Sequence, residues 1–293
     1  MKLTESVVAT LTYSDHFDFP LTVDELRSRL IATPISRTSL IRHIGLMLKA
    51  GSLARTSSYY HLPGRRSLVY RRRRLEKIAA PQLTRAGVLA ERLGSLPGVK
   101  AVYLTGSLAL KNAPNGSDID FMIITYNDRL WTTRFLLTVY CSLFGLRRTP
   151  YSRNNSGKLC LNLFLSPISY TLSPIQRSLY TAYELVQAAP LYDPQNTHAD
   201  LLAANPWIRA FLPNIILPVA PTRVKPPPND KGLTLALFIE KIMYYLQLAY
   251  MRPKITREIV TPNSAFFHPR NPGKAVLRRL KIGELYNSMK IEN

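Results

Sequence analysis

Two aspartates, Asp118 and Asp120, stand at the start of an apolar run of the chain. Residues two apart on a strand point to the same side of a sheet, so both carboxylates would share one face. Two ionised carboxylates this close repel each other, and burying part of their charge is costly unless a cation neutralises it. Carboxylate oxygens are ligands that suit Mg²⁺. The pattern therefore predicts a divalent-metal site at the start of a buried strand.

The elements around the aspartates predict a phosphate site beside them. The segment Val99–Leu104 is rich in β-branched and apolar residues, which predicts a strand. Gly106 would end that strand in a tight turn, and Ser107 would cap a short helix whose unpaired N–H groups can bind a phosphate. Residues 121–124 are apolar enough to continue the aspartate segment as a buried strand. A phosphate-binding turn beside paired metal ligands is what phosphoryl or nucleotidyl transfer requires.

This combination resembles the signature of the DNA polymerase β-like nucleotidyltransferase superfamily. The matching residues are Gly106-Ser107 after a strand and, eleven positions after Ser107, Asp118-x-Asp120 on the next strand. The resemblance covers roughly residues 99–167. It implies that Asp118 and Asp120 hold Mg²⁺, with two ions expected, and that Gly106 and Ser107 bind the β- and γ-phosphates of a nucleoside triphosphate (NTP). The implied activity is transfer of a nucleoside monophosphate from the NTP to an acceptor hydroxyl.

A third carboxylate on a later strand belongs to the family pattern, and this chain departs from it there. The strand predicted over 158–165 carries Asn162 at its centre, and an amide can bind a cation but cannot accept a proton. Lys158, at the start of that strand, is a candidate phosphate ligand. Glu184, in a predicted helix, is the candidate for a relocated base, because some small-molecule transferases of the superfamily use a Glu outside the strand. The alternatives are a solvated Glu184 and a site that has lost activity.

Residues 1–64 are predicted to form a winged helix-turn-helix, because three amphipathic helices are followed by a short hairpin around Ser57. In that motif the third helix, over 37–50, would offer side chains to a nucleic-acid groove. A protein-packing or substrate-positioning module is the alternative, since a fold alone does not establish function. The candidate nucleic-acid contacts in this unit are Arg37, Arg42 and Arg55.

A dense basic run, with six Arg and one Lys between residues 65 and 77, opens a predicted basic linker helix over 65–97. Four consecutive arginines on a helix cover most of its circumference, so only part of them can reach one ligand. Binding of a phosphate backbone and a solvated linker are equally compatible with this run. The candidate contacts are Arg71, Arg72, Arg73 and Arg74.

The charge balance favours a polyanionic partner. The 293 residues contain 39 Lys and Arg against 18 Asp and Glu, for a net charge of +21. Such an excess builds a positive field that attracts RNA, DNA or an anionic membrane. Nucleic acid is therefore the favoured acceptor, with a small molecule or a protein hydroxyl as alternatives. A different kind of function, a catalytically inactive winged-helix regulator that binds nucleic acid and a protein partner, is also compatible with the sequence.

The remaining composition excludes several classes. Two cysteines in apolar segments predict free thiols and exclude a disulfide-rich scaffold. The first residues lack the build of a signal peptide, and no uncharged apolar run reaches the length of a membrane span, so a cytoplasmic protein is expected. The overall prediction is an α+β fold with a nucleotidyltransferase domain over 98–217, built on a mixed β-sheet flanked by helices. A proline-rich linker and a C-terminal helical region would follow over 218–293.

Overall fold

The computed structural model describes residues 1–148, 156–218, 232–255 and 259–266. Its centre is a six-stranded mixed sheet with the strand order β6-β3-β4-β5-β8-β7. Strand β4 runs parallel to β5, and the other neighbouring strands are antiparallel. The strands of this sheet are β3 (Val99–Leu104), β4 (Ile119–Thr125), β5 (Leu159–Leu165), β6 (Ala189–Tyr192), β7 (Ile259–Thr261) and β8 (Ser264–Phe266).

Helices cover both faces of the sheet, as the predicted α+β class requires. On one face, α4 (Ser67–Gly94) and α6 (Leu130–Leu143) pack on the sheet and are joined by α10 (Gly232–Met251). On the other face lie α7 (Leu179–Gln187), α8 (Thr197–Ala203) and α9 (Ile208–Phe211). Apolar side chains of β3 and β4 alternate between the two cores, which explains why these strands read as continuous apolar runs.

The N-terminal unit contains α1 (Leu3–His16), α2 (Val23–Ser28) and α3 (Arg37–Lys49), then a hairpin of β1 (Ala54–Thr56) and β2 (Tyr59–His61). Its helix starts follow local chemistry, because the Thr22 and Ser36 hydroxyls accept hydrogen bonds from the first turns of α2 and α3. Three helices and a two-stranded hairpin are therefore present in the predicted order. Their interpretation as a nucleic-acid-binding winged helix stays a prediction.

This unit packs directly on the central domain. The ring of Tyr13 in α1 stacks on Tyr183 in α7 with 4.2 Å between centroids, and the Tyr183 hydroxyl donates to the Arg29 carbonyl at 2.6 Å. The Asn112 side chain donates to the carbonyl of Phe17 at 2.8 Å. The two parts consequently share an aromatic and hydrogen-bonded interface.

Helix α4 buries Arg72, one of the four arginines predicted to contact nucleic acid. Arg72 is 6% exposed, and its guanidinium forms ion pairs with Glu25 at 2.7 Å and with Glu76 at 3.0 Å. The same group lies 4.0 Å above the ring centroid of Phe19. Arg72 therefore anchors α4 to the N-terminal unit and cannot contact a nucleic acid. Its neighbours Arg73 and Arg74 are exposed.

The C-terminal part differs from the predicted helical region. Helix α10 is present and packs on α6, where the Glu240 carboxylate accepts hydrogen bonds from the backbone N–H groups of Trp131 and Thr132. After it, β7 and β8 form a hairpin whose second strand extends the central sheet beside β5. From residue 219 to 231 the predicted proline-rich linker lies outside the described residues, as does the segment from 267 onward. In the described ranges, no helix combines the length and apolarity needed to cross a membrane.

Candidate active site

The two aspartates meet a third side chain at the edge of β4 and β5. Asp118 is predicted from the sequence to open this strand but lies one residue before the observed β4, and Asp120 is the second residue of β4. The parallel register places Asp120 opposite Cys160. Ligand atoms of Asp118, Asp120 and Cys160 all lie within 4.8 Å of one another. The structure thus brings the predicted pair together and adds Cys160, which the sequence analysis did not assign to the site.

Asn162, the residue predicted at the third-carboxylate position, also reaches the pair. Its Nδ2 donates to Asp120 Oδ1 at 3.2 Å. Its Oδ1 is buried and has no hydrogen-bond partner in the described part of the chain. A buried carbonyl oxygen without a partner is costly, so this atom is available to a cation or to a donor on a ligand.

Gly106 allows the close approach of the turn to the aspartates. Its φ is +67°, and a Cβ placed on it would lie 2.6 Å from Asp120 Oδ2. The following helix α5 (Gly106–Ala109) begins two residues earlier than predicted, so Ser107 lies inside it and is not its N-cap. The cap position belongs to Thr105, whose backbone N–H donates to the Asp120 carbonyl at 2.9 Å. The turn is therefore tied to β4 at the aspartate itself.

The substitution Gly106→Ala tests this contact. We expect it to displace the Asp120 carboxylate and lower any activity of the site, in addition to a backbone cost of about 1 kcal/mol. Gly116→Ala is the matched control, because Gly116 also has a positive φ of +84° but has no atom within 4 Å of a built Cβ. Thermal unfolding should show the backbone cost in both variants and a further loss of stability in Gly106→Ala, and an activity assay should show lost activity in Gly106→Ala alone. Equal activities would contradict a functional role for the close approach.

The electrostatics of the cluster favour a cation with oxygen ligands. Burial raises the pKa of Asp120 to about 6, and repulsion by Asp118 adds to the shift. An Arg148 nitrogen forms an ion pair with Oδ2 of Asp118 and so compensates part of that charge. Burial also raises the pKa of the Cys160 thiol to about 12, which keeps it neutral and a poor metal ligand. Two carboxylates and the unpartnered Asn162 oxygen consequently fit a hard divalent ion.

A cavity of about 540 Å³ opens onto this cluster. Glu184 of α7 lies on its wall and is half-buried. Burial raises the pKa of Glu184 to about 7, with a further contribution from the negative charge of Asp120. The reading of Glu184 as a solvated helix residue is therefore wrong, and the structure places this carboxylate in the same cavity as Asp120.

The cavity is built from both parts of the protein. The turn at Gly106 and Ser107 lines it, together with Asp120, Asn162 and Glu184. Apart from the arginine run, no local pattern predicts the second group of lining residues, which the N-terminal unit and α4 contribute. These residues are Tyr13, Ser14, Phe17, Phe19, Arg29 and Arg71.

Other predicted site residues lie apart from this cavity. The Lys158 carbonyl accepts a hydrogen bond from Ile119, but its side chain is not among the lining residues. Arg37 pairs with Asp24 at 2.7 Å on the surface of the N-terminal unit. The other arginines predicted to contact nucleic acid are exposed and lie outside the cavity: Arg42, Arg55, Arg73 and Arg74.

Comparison with known protein families finds a match in the central segment of the chain. A family model described as a nucleotidyltransferase domain matches residues 88–157, which span the end of α4, β3, the Gly106 turn, β4 and α6. This match supports a transferase that moves a nucleoside monophosphate. No curated protein matches the chain. No solved structure matches it either.

Proposed function

We propose that the protein is a Mg²⁺-dependent nucleotidyltransferase that transfers a nucleoside monophosphate from an NTP to the hydroxyl of a small acceptor. The observation that carries the proposal is that Asp120 and Glu184 line one cavity, with Asp118 beside Asp120. Oxygen ligands and a carboxylate whose pKa lies near 7 are the two requirements of such a transfer. The match to a nucleotidyltransferase domain supports the same reaction class.

Each step falls to a residue of this chain. Gly106 and Ser107 bind the β- and γ-phosphates, and Asp118, Asp120 and Asn162 Oδ1 would hold the divalent ions. Ions held there would neutralise phosphate charge and make the acceptor hydroxyl more acidic. The acceptor oxygen attacks the α-phosphorus in line, its proton passes to Glu184, and the bond to the β-phosphate oxygen breaks to release pyrophosphate. Catalysis then rests mainly on positioning and charge neutralisation.

The shape of the cavity favours a small acceptor. The N-terminal unit lines part of it with Tyr13, Phe17 and Phe19. A polymer would need an open groove past these rings, and the Tyr13–Tyr183 stack joins the unit to α7. Nucleic acid remains the second candidate acceptor, because the net charge is +21 and exposed arginines lie outside the cavity.

Transfer of radiolabel from [α-³²P]NTP tests the proposal. The protein would be incubated with Mg²⁺ and each of the four NTPs, and with either a small-molecule extract depleted of polymers or purified RNA and DNA. We expect label in the small-molecule fraction, and none when Mg²⁺ is removed by EDTA. Label in RNA or DNA would assign the second candidate acceptor. Tight nucleic-acid binding without any transfer would support the inactive regulator instead.

A further inference from the structure

Arg29 is a cation in the cavity that lacks a carboxylate partner. It follows α2 and lines the cavity from the side of the N-terminal unit, half-buried. Among the described residues, its guanidinium has no ion pair within 4.0 Å, and its closest aromatic contact is the Phe19 ring, with 5.0 Å to the centroid. The neighbouring acid Glu25 is already bound by two nitrogens of Arg72, at 2.7 and 2.8 Å.

Burial makes this arrangement costly unless a ligand supplies the negative charge. The pKa of Arg29 is lowered, with burial as the largest cause. A guanidinium removed from water without a hydrogen-bonded anion loses hydration that nothing in its surroundings replaces. Arginine binds carboxylates and phosphates through two parallel N–H donors, so an anionic group in the cavity would complete the site.

The position of Arg29 points to the acceptor and away from the triphosphate. Tyr13 lines the cavity together with Glu184 and Arg29 and interacts electrostatically with each of them. Tyr13 also stacks on Tyr183, and both rings line the cavity. Two other cations of the cavity lie beside the residues proposed to bind the nucleotide, because Arg71 bonds to Asn112 and Arg148 pairs with Asp118.

We propose that Arg29 binds a phosphate or carboxylate of the acceptor, which makes the substrate a small anionic molecule that bears a hydroxyl. The hydroxyl faces Glu184, the aromatic pair Tyr13 and Tyr183 contacts the body of the molecule, and Arg29 binds its anionic end. This inference rests on the proposed function for the identity of the ligand as an acceptor. The anion site at Arg29 itself is independent of catalysis.

Binding of inorganic phosphate tests the site. The full chain would be saturated with Mg²⁺ and α,β-methylene-ATP, and phosphate would then be titrated by isothermal calorimetry. We expect saturable binding that Arg29→Gln weakens about tenfold, the loss of one charge-assisted contact. Arg29→Lys should retain part of the affinity. Arg92→Gln is the control, because Arg92 is exposed on α4 outside the cavity and its loss should change nothing.

The affinity for nucleotide distinguishes an anion site at Arg29 from the site of the triphosphate. Arg29→Gln should leave the dissociation constant of α,β-methylene-ATP within about twofold of the unsubstituted protein, since the triphosphate is bound elsewhere. The inference is overturned if Arg29→Gln weakens the nucleotide instead, or if phosphate binds both proteins equally or binds neither. Should the protein bind no nucleotide at all, the proposed function fails, and the same phosphate titration without nucleotide still decides whether Arg29 holds an anion.

Discussion

Replacing Asp118 and Asp120 together by asparagine will abolish nucleotide transfer, with a fall in rate of about a thousandfold or more. The amides keep the size of the side chains but remove two negative charges that hold the divalent ions. Pyrophosphate release in the presence of Mg²⁺ and NTP measures the effect. Asp128→Asn is the matched control, because Asp128 is exposed and asparagine tolerates its positive φ of 55°.

The fold of the double variant should be intact. The two carboxylates repel each other, so their neutralisation removes an unfavourable interaction. The ion pair that Asp118 loses is with the partly exposed Arg148 and contributes little, so the melting temperature measured in the absence of metal should change little. An unfolded double variant would leave activity uninformative, and the single substitutions would then carry the test at a temperature where each is folded. Unchanged pyrophosphate release by a folded double variant would end the enzymatic proposal.

Replacing Glu184 by glutamine will lower the transfer rate by roughly a hundredfold to ten-thousandfold, the usual contribution of a general base. The base must be deprotonated to accept the hydroxyl proton. Because burial raises the pKa of Glu184 to about 7, the rate of the unsubstituted protein should rise as pH increases through 7 and level off above pH 8. Besides burial, the negative charge of Asp120 in β4 raises this pKa, and a hydrogen bond with Tyr180, one turn earlier in α7, lowers it. In the Glu184→Gln variant, the rise in rate near pH 7 should be absent.

Stability gives an independent readout for the same substitution. A carboxyl group whose pKa is higher in the folded than in the unfolded protein favours folding only while it is protonated. The protein therefore loses stability as pH rises from the unfolded pKa through the folded pKa. For Glu184 this window runs from about 4.5 to about 7. Glu184→Gln should therefore be more stable than the unsubstituted protein at pH 8, by on the order of 1 kcal/mol after allowance for solvent access from the cavity. The gain should vanish at pH 4.

Glu91→Gln supplies the control for both measurements, because Glu91 is exposed on α4 away from the cavity. We expect it to alter neither the pH–rate profile nor the melting temperature. A Glu184→Gln variant with full activity and an unchanged pH profile would refute the role of Glu184 as base. A gain in stability together with a loss of activity would mark a carboxylate retained for function at the expense of the fold.

Local chemistry in the sequence determined the central motif. The positive φ at Gly106 and the approach of Asp120 follow from a turn between two apolar runs, and both runs form strands where their residue types predict them. The aspartates share a face because strand periodicity is two. The helix caps at Thr22 and Ser36 are equally local, since each hydroxyl bonds within its own helix turn. The match to a nucleotidyltransferase domain covers this same locally specified segment.

The tertiary structure alone decided which distant residues join the motif. Arg72 and Arg73 are chemically identical neighbours, yet Arg72 is buried between two glutamates, whereas Arg73 is exposed and donates to the Ser57 hydroxyl at the tip of the hairpin. Cys160 enters the site through the register of β5 against β4, and no residue type predicts a register between segments about 40 residues apart.

The composition of the cavity likewise depends on tertiary packing. Glu184 and Arg29 are separated by more than 150 positions, and they line one space because α7 and the N-terminal unit pack through the Tyr13–Tyr183 stack. Periodicity and capping report on contacts within one element, whereas a cavity depends on how several elements pack. The chain's residue types therefore determined that Asp118 and Asp120 are the candidates for a metal site, and packing decided which carboxylate and which cation share the cavity with Asp120.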